Sequence, residues 1–218
     1  MRKLANPLIT LCAISAAFAA LALVGMALLP RPFAAMDHLS ILLGSPRLAQ
    51  NDLAAYKSYV SNNLTLDSFY LLAHSLMWVG MAQLVSRRAT PLGTSVFLLG
   101  LSGAILDFLE NELRWAAIGT LLAGNLPSQS YVAIWQIVLA FSFWFLFLAA
   151  AFTGVGLAGR SRSANLVAAW SLAGILAASL TYKLGHFYSF LWLIVWHLLC
   201  ACFLWSNRAA HESEPGKR

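Results

Sequence analysis

Long apolar runs decide which solvent this chain folds in. A helix rises about 1.5 Å per residue, so about 20 mainly apolar residues cross a hydrocarbon core about 30 Å thick. Six segments reach that length: residues 8–29, 64–85, 92–116, 131–157, 164–182 and 187–205. Between Trp115 and Gly159 there is no charged residue, and the turn Gly124-Asn-Leu-Pro127 separates the third segment from the fourth. Hydrophobic residues make up 60% of the chain and charged residues 10%, against about 45–50% and about 25% in a soluble domain. Too few charges remain to cover a water-facing surface. The predicted fold class is all-α, a polytopic membrane bundle of six transmembrane helices forming one domain over residues 1–207, with a polar, disordered tail at 208–218.

The first segment follows Met1-Arg2-Lys3, as a signal peptide would. Its apolar run exceeds the roughly 7–15 residues of a signal-peptide core, so it is expected to stay as a span. Basic residues set the orientation. With the N-terminus inside, the inner connections and ends hold Arg2, Lys3, Arg87, Arg88, Arg160, Arg162, Arg208, Lys217 and Arg218. The outer ones hold Arg31, Arg47, Lys57 and Lys183, and Arg114 ends a span. This bias predicts that both termini are cytoplasmic in a plasma membrane, the inner membrane of a bacterium. The net charge of +6 is spread in pairs between apolar runs, which excludes a nucleic-acid face. Cys12, Cys200 and Cys202 lack CxxC spacing and are expected to be buried small hydrophobes. The long outer connection, residues 30–63, carries Leu48, Leu53, Tyr56 and Val60 in a pattern that fits an amphipathic helix on the outer membrane surface.

The anomaly lies in the third segment, where three of the chain's 8 acidic residues fall within residues 107–112. Asp107, Glu110, Asn111 and Arg114 follow i, i+3, i+4, i+7 and share one helical stripe, whereas Glu112 lies ~140° away from Asp107. A carboxylate at such depth costs several kcal/mol unless it finds a partner or a wet cavity, which makes the stripe a candidate functional site. Entering near residue 92, the chain reaches Asp107 after about 22 Å, in the outer half of the bilayer. Asp67, Tyr70 and His74 share a face of the second segment, while His186 and His197 share a face of the sixth. All of these fall in the outer half or at the midplane, so neighbouring second, third and sixth helices would enclose an outward-facing polar site. Gly100 and Gly103 favour close helix approach and point to the third helix as central. Trp192 and Trp196 lie deep enough to line an apolar substrate cleft.

Asp107, Glu110, His74 and His197 are the catalytic candidates, because a buried carboxylate beside an imidazole suits general acid–base work. Asn111, Arg114, Asp67, Tyr70, Trp192 and Trp196 are the substrate-binding candidates. The predicted function is an enzyme acting on a lipid or other hydrophobic small molecule in the membrane. The alternative is a non-enzymatic transporter, a proton-coupled carrier, or an assembly subunit of a membrane complex whose protein partner the sequence does not name. A carrier needs a polar path to both faces, and an assembly subunit needs the stripe on its outside. The cofactor stays open. His74, His197 and Asp107 could together hold zinc or iron, but no metal ligand is assigned, because no HxxxH or HExxH pair occurs and His186 and His197 are about 16 Å apart along one helix. Neither GxSxG, a P-loop nor a dinucleotide fingerprint is present. The run Leu106-Asp-Phe-Leu-Glu-Asn111 resembles a D-x-x-E-N element found in a helix of small bacterial multi-pass membrane proteins, and that resemblance implies no reaction.

Overall fold

The computed structural model describes the backbone of residues 6–29, 50–184 and 187–208, and their side chains except those of 50–54, 56, 175–184 and 187–190. The described chain is all-α. Its helices are α1 (Pro7–Leu28), α2 (Gln50–Ser86), α3 (Thr90–Leu122), α4 (Gln129–Leu157), α5 (Arg162–Leu184) and α6 (Phe187–Asn207). Local chemistry sets several boundaries. The Asn6 side chain accepts from the Leu8 and Ile9 amides, with Pro7 opening α1. Ser128 caps α4 by accepting from the Tyr131 amide. Gly124 takes φ +77° in the turn after α3, a left-handed conformation that suits glycine, and breaks the apolar run where the sequence places the break.

Each helix packs against its neighbour in sequence, and α6 closes the ring against α1. α2 also touches α4 and α6, so the central helix is α2 and not α3 as the glycine pattern predicts. The reason is on α3 itself: Phe97, Leu98, Leu101, Ile105 and Phe108 are exposed along one face, which leaves only the other for packing. There Gly100 lies under the Trp78 ring of α2 and Gly103 under Leu146 of α4. The expected neighbours are brought together in part, because α2 contacts both α3 and α6 and lies between them.

The two ends of the chain meet: the Asn6 amide donates to the Arg208 carbonyl at 2.8 Å. At the same end, Arg88 donates to the Ala158 carbonyl (2.7 Å) and Arg160 to the Leu84 carbonyl (2.6 Å), tying the α2–α3 turn to the α4–α5 turn. Arg87, Arg88, Arg160, Arg162 and Arg208 therefore collect at one end of the bundle. Partial burial and like-charged neighbours lower the pKa values of Arg87 and Arg160, which stay guanidinium ions from so high an ordinary value.

Among the described residues, four helical stretches are long and apolar enough to cross a membrane: Pro7–Leu28, Lys57–Ser86, Thr90–Leu122 and Gln129–Leu157. The stretch Leu191–Asn207 is apolar but shorter. α2, at 37 residues, and α3, at 33, exceed what a hydrocarbon core requires. Residues 50–63 continue directly into α2 and do not form a separate surface helix. Val60, 1% exposed, explains this, since it packs on Ile118 beside Tyr59, Leu64 and Leu121 and so pairs the extended ends of α2 and α3. Leu48 and the side chains of Leu53 and Tyr56 lie outside the described residues, as do residues 30–49 and the tail from 209. Cys12 and Cys200 are buried as expected, whereas Cys202 is exposed on α6.

A Cβ on Gly100 would stand 2.5 Å from Trp78 Cγ, while Gly119 has nothing within 4 Å. Gly100→Ala is therefore expected to destabilise the protein by about 1–3 kcal/mol through overpacking. Gly119→Ala should stay within about 0.5 kcal/mol of the parent or gain slightly from helix propensity. Thermal melting of both variants in detergent checks the contrast, and equal melting temperatures would remove Gly100 as a packing constraint.

Candidate functional site

Glu110, 1% exposed, is held by one turn of its own helix and by a neighbouring helix. Arg114 lies at i+4 and grips both carboxylate oxygens, with Nη2 at 2.7 Å from Oε1 and 2.8 Å from Oε2 and Nε at 3.2 Å from Oε1. The Trp135 indole of α4 donates to Oε1 at 2.8 Å. Arg114 also reaches Asn63 Oδ1 of α2 at 3.3 Å, and the Tyr131 hydroxyl of α4 donates to the Leu113 carbonyl. The ion pair is legible from spacing alone. Asn63 and Trp135 are not, because nothing in the sequence states which residues of α2 and α4 lie at that depth.

Next to Glu110 on α3, the Asn111 amide nitrogen donates to Asp67 Oδ2 across the α2–α3 interface. That bond leaves Asn111 Oδ1 buried without a partner, and the Tyr70 hydroxyl is buried and unpartnered too. Asp107 is half-buried on the same side of α3, within electrostatic reach of Asp67, Glu110 and Arg114. Asp67 and Asp107 both act on Tyr70. Among the described residues Arg114 pairs with Glu110, and the unpartnered oxygens of Asn111 and Tyr70 lie between α2 and α3.

The histidines form a separate layer. His74 of α2 and His197 of α6 are both 0% exposed, and their rings meet with Nδ1 of His74 2.7 Å from Nε2 of His197. An indole N–H can only donate, so Trp78 Nε1 donates to His74 Nε2 at 2.7 Å. In neutral His74 the proton is then on Nδ1, which donates to His197 Nε2. His197 carries its own proton on Nδ1 and donates to the Leu193 carbonyl at 2.7 Å. This chain assigns both tautomers and occupies all four ring nitrogens. Neither imidazole keeps a free lone pair for a metal, and among the described residues no group of three or more His, Cys, Asp or Glu is placed to hold one.

Tyr70 joins the two layers by stacking on His74 at 4.9 Å and meeting the edge of His197 at 5.5 Å. Among the described residues, no hydrogen bond links Asp107 to either histidine. Trp192 and Trp196 are core residues rather than the lining of an open cleft, being 6% and 1% exposed. Trp196 donates to Ser171 Oγ at 2.8 Å. Trp192 and Trp170 exchange indole-to-carbonyl bonds of 2.9 and 3.1 Å between α5 and α6. His186 and the side chain of Lys183 lie outside the described residues.

Two open grooves run along the exposed seam of α2 and α3. One, about 250 Å³, is lined by Ser61, Thr65, Ser68, Asn111, Glu112 and Trp115, with Leu64 and Phe108. The other, about 300 Å³, is lined by Leu71, Leu72, Leu101, Ala104 and Ile105, with Ser75, and shares Ser68 and Phe108 with the first. Asn111 is both a wall of the seam and a member of the buried cluster, so the acidic site touches a surface open to the side. Glu112, off the main stripe, belongs to the groove. No protein family, curated protein or solved structure matches the chain.

Removing one histidine should strand its partner's ring nitrogen in a dry interior, which costs about 1–3 kcal/mol. His74→Phe and His197→Phe are each expected to destabilise the protein, and the double variant by less than their sum, with a coupling of about 0.5–3 kcal/mol. Thermal melting of the four proteins measures this coupling. Strict additivity would show that the imidazoles do not act as a unit.

Proposed function

We propose that this protein is a six-pass enzyme of the plasma membrane, a bacterial inner membrane, with both termini in the cytoplasm. It carries out acid–base chemistry on a lipid or other hydrophobic substrate that enters sideways between α2 and α3. α5 and α6 supply the fifth and sixth crossings. The meeting of Asn6 with Arg208 supports an even number of crossings, and the arginines gathered at that end support its cytoplasmic assignment.

The single observation that carries the functional reading is the contact between the buried acidic cluster and the open seam, made through Asn111. Asp107 is the proton-transfer group. It is half-buried, and among the described residues it makes no hydrogen bond that would commit its oxygens. The Tyr70 hydroxyl and Asn111 Oδ1, unpartnered in the structure, accept from or position the substrate's polar group beside Asp67. Glu110 and Arg114 neutralise each other and fix the local charge. His74 and His197 form a neutral brace beneath Tyr70 and act through position. A carrier is less well supported. Towards the arginine-rich end the described interior is filled mainly by Met77, Met81, Leu84, Val85 and Leu204, each 0–1% exposed, with Gln83 and Thr153 as scattered polar groups among them.

Asp107→Asn keeps the shape and removes the transferable proton. Lipid extracts of cells producing the parent protein are expected to show species that change with its presence. Asp107→Asn should reduce that conversion by at least about 100-fold, the scale of general acid–base catalysis, at unchanged protein level and melting temperature. A lipid profile indifferent to the protein, or a fully active Asp107→Asn variant, would overturn the assignment.

A further inference from the structure

We propose that the α2–α3 seam selects an amphiphile with a cationic head, a protonated amine on a hydrocarbon chain. This names the substrate class for the lateral entry proposed above, and rests on that entry.

The selection follows from what the upper groove offers a ligand. Thr65 Oγ1 donates its proton to the Ser61 carbonyl and Ser68 Oγ donates to the Leu64 carbonyl, both at 2.9 Å within α2. Their hydrogens are spent on their own helix, and what they present outwards is lone pairs. Asn111 is in the same state, since its amide nitrogen donates to Asp67 and its Oδ1 is left buried and unpartnered. Glu112 adds a carboxylate at the groove wall, and among the described residues the recorded ion pair is Glu110–Arg114. Trp115, 40% exposed, adds an aromatic face of the kind that attracts a cation. Asp67, which accepts from the Asn111 amide nitrogen, adds carboxyl oxygens behind it. The groove wall therefore holds acceptors, a carboxylate and a π face, with no basic side chain among its lining residues. A phosphate or carboxylate head would meet like charge and lone pairs. An ammonium brings three donors and a positive charge to the same wall.

The lower groove fits the rest of such a molecule. Leu71, Leu72, Leu101, Ala104 and Ile105 form an apolar trough continuous with the upper one through Ser68 and Phe108. From Ser61 to Ser75 the seam runs about 21 Å along α2, at about 1.5 Å per residue. The polar end lies toward Arg114 and the apolar end toward the midplane, the orientation of an amphiphile in one leaflet.

The test uses the full chain purified in a neutral maltoside detergent and three spin-labelled probes with the same alkyl chain: a primary amine, an alcohol and a phosphate. The amine is expected to bind at least about tenfold more tightly than the alcohol, the scale of one charge-assisted contact, with the phosphate weakest. Glu112→Gln and Trp115→Leu, both at exposed positions, should each lower the ratio of amine to alcohol affinity by most of its value. Ile105→Trp, which fills the lower trough, should weaken all three probes. If Ile105→Trp blocks binding but amine and alcohol bind equally, or the phosphate binds best, the cationic selection is wrong and the seam stands. If no probe binds, or binding ignores Ile105→Trp, lateral entry itself fails.

Discussion

The end of the bundle away from the clustered arginines depends on holding the Glu110–Arg114 ion pair where Glu110 is almost fully buried. A buried carboxylate is tolerable when its oxygens are filled by well-aligned donors, and here Arg114 and Trp135 fill them. The arrangement has consequences beyond one residue. Arg114 extends to Asn63 and Trp135 comes from α4, so α2, α3 and α4 are held at a common depth by one charge-assisted network. Among the described residues, Arg114 is the guanidinium paired within this cluster, and it is held by Glu110. Asp67, Asp107, Tyr70 and Asn111 then occupy the adjoining space, where Asn111 Oδ1 and the Tyr70 hydroxyl are buried without a hydrogen-bond partner.

The histidine layer solves the same problem with neutral groups. Four nitrogens from two rings are buried at no net charge because a tryptophan N–H starts the chain of hydrogen bonds and a helix carbonyl ends it. Such a closed chain ties α2 to α6 and leaves all four ring nitrogens engaged. It also fixes the floor on which Tyr70 rests. The indoles of Trp170, Trp192 and Trp196 extend the same device to α5, where each finds an oxygen on the facing helix. Polar contacts between helices are useful here because lipid gives apolar side chains no reason to prefer protein to membrane.

Much of the stripe was readable in advance. Helical spacing puts Glu110 beside Arg114 and Asp107 on the same face, and both are properties of one segment. The seam was not readable. Glu112 looked peripheral because it lies off the stripe, yet that displacement is what turns it into the groove beside Trp115. Trp192 and Trp196 had the depth expected of cleft residues, but depth does not distinguish a cleft from a core, and their neighbours on α4 and α5 made them core. The segment before residue 64 looked like a separate surface helix because Leu48, Leu53, Tyr56 and Val60 form an amphipathic pattern in an otherwise polar stretch. It joins α2 because Ile118, far away in sequence, covers Val60.

What the sequence by itself determined is what depends on a residue and its own helix. The apolar runs dictate helices, since a backbone in hydrocarbon must satisfy its own hydrogen bonds. Asn6, Ser128 and Gly124 set where helices begin and end, and the i, i+4 spacing sets the Glu110–Arg114 pair. What only the tertiary structure decided is which helices are neighbours and how each is rotated. Those choices joined His74 to His197 across 123 residues, separated that pair from Asp107, and left a polar-to-apolar seam open along α2 and α3. They depend on side-chain fit, such as Gly100 beneath Trp78 and Gly103 beneath Leu146. No single segment contains both halves of such a contact.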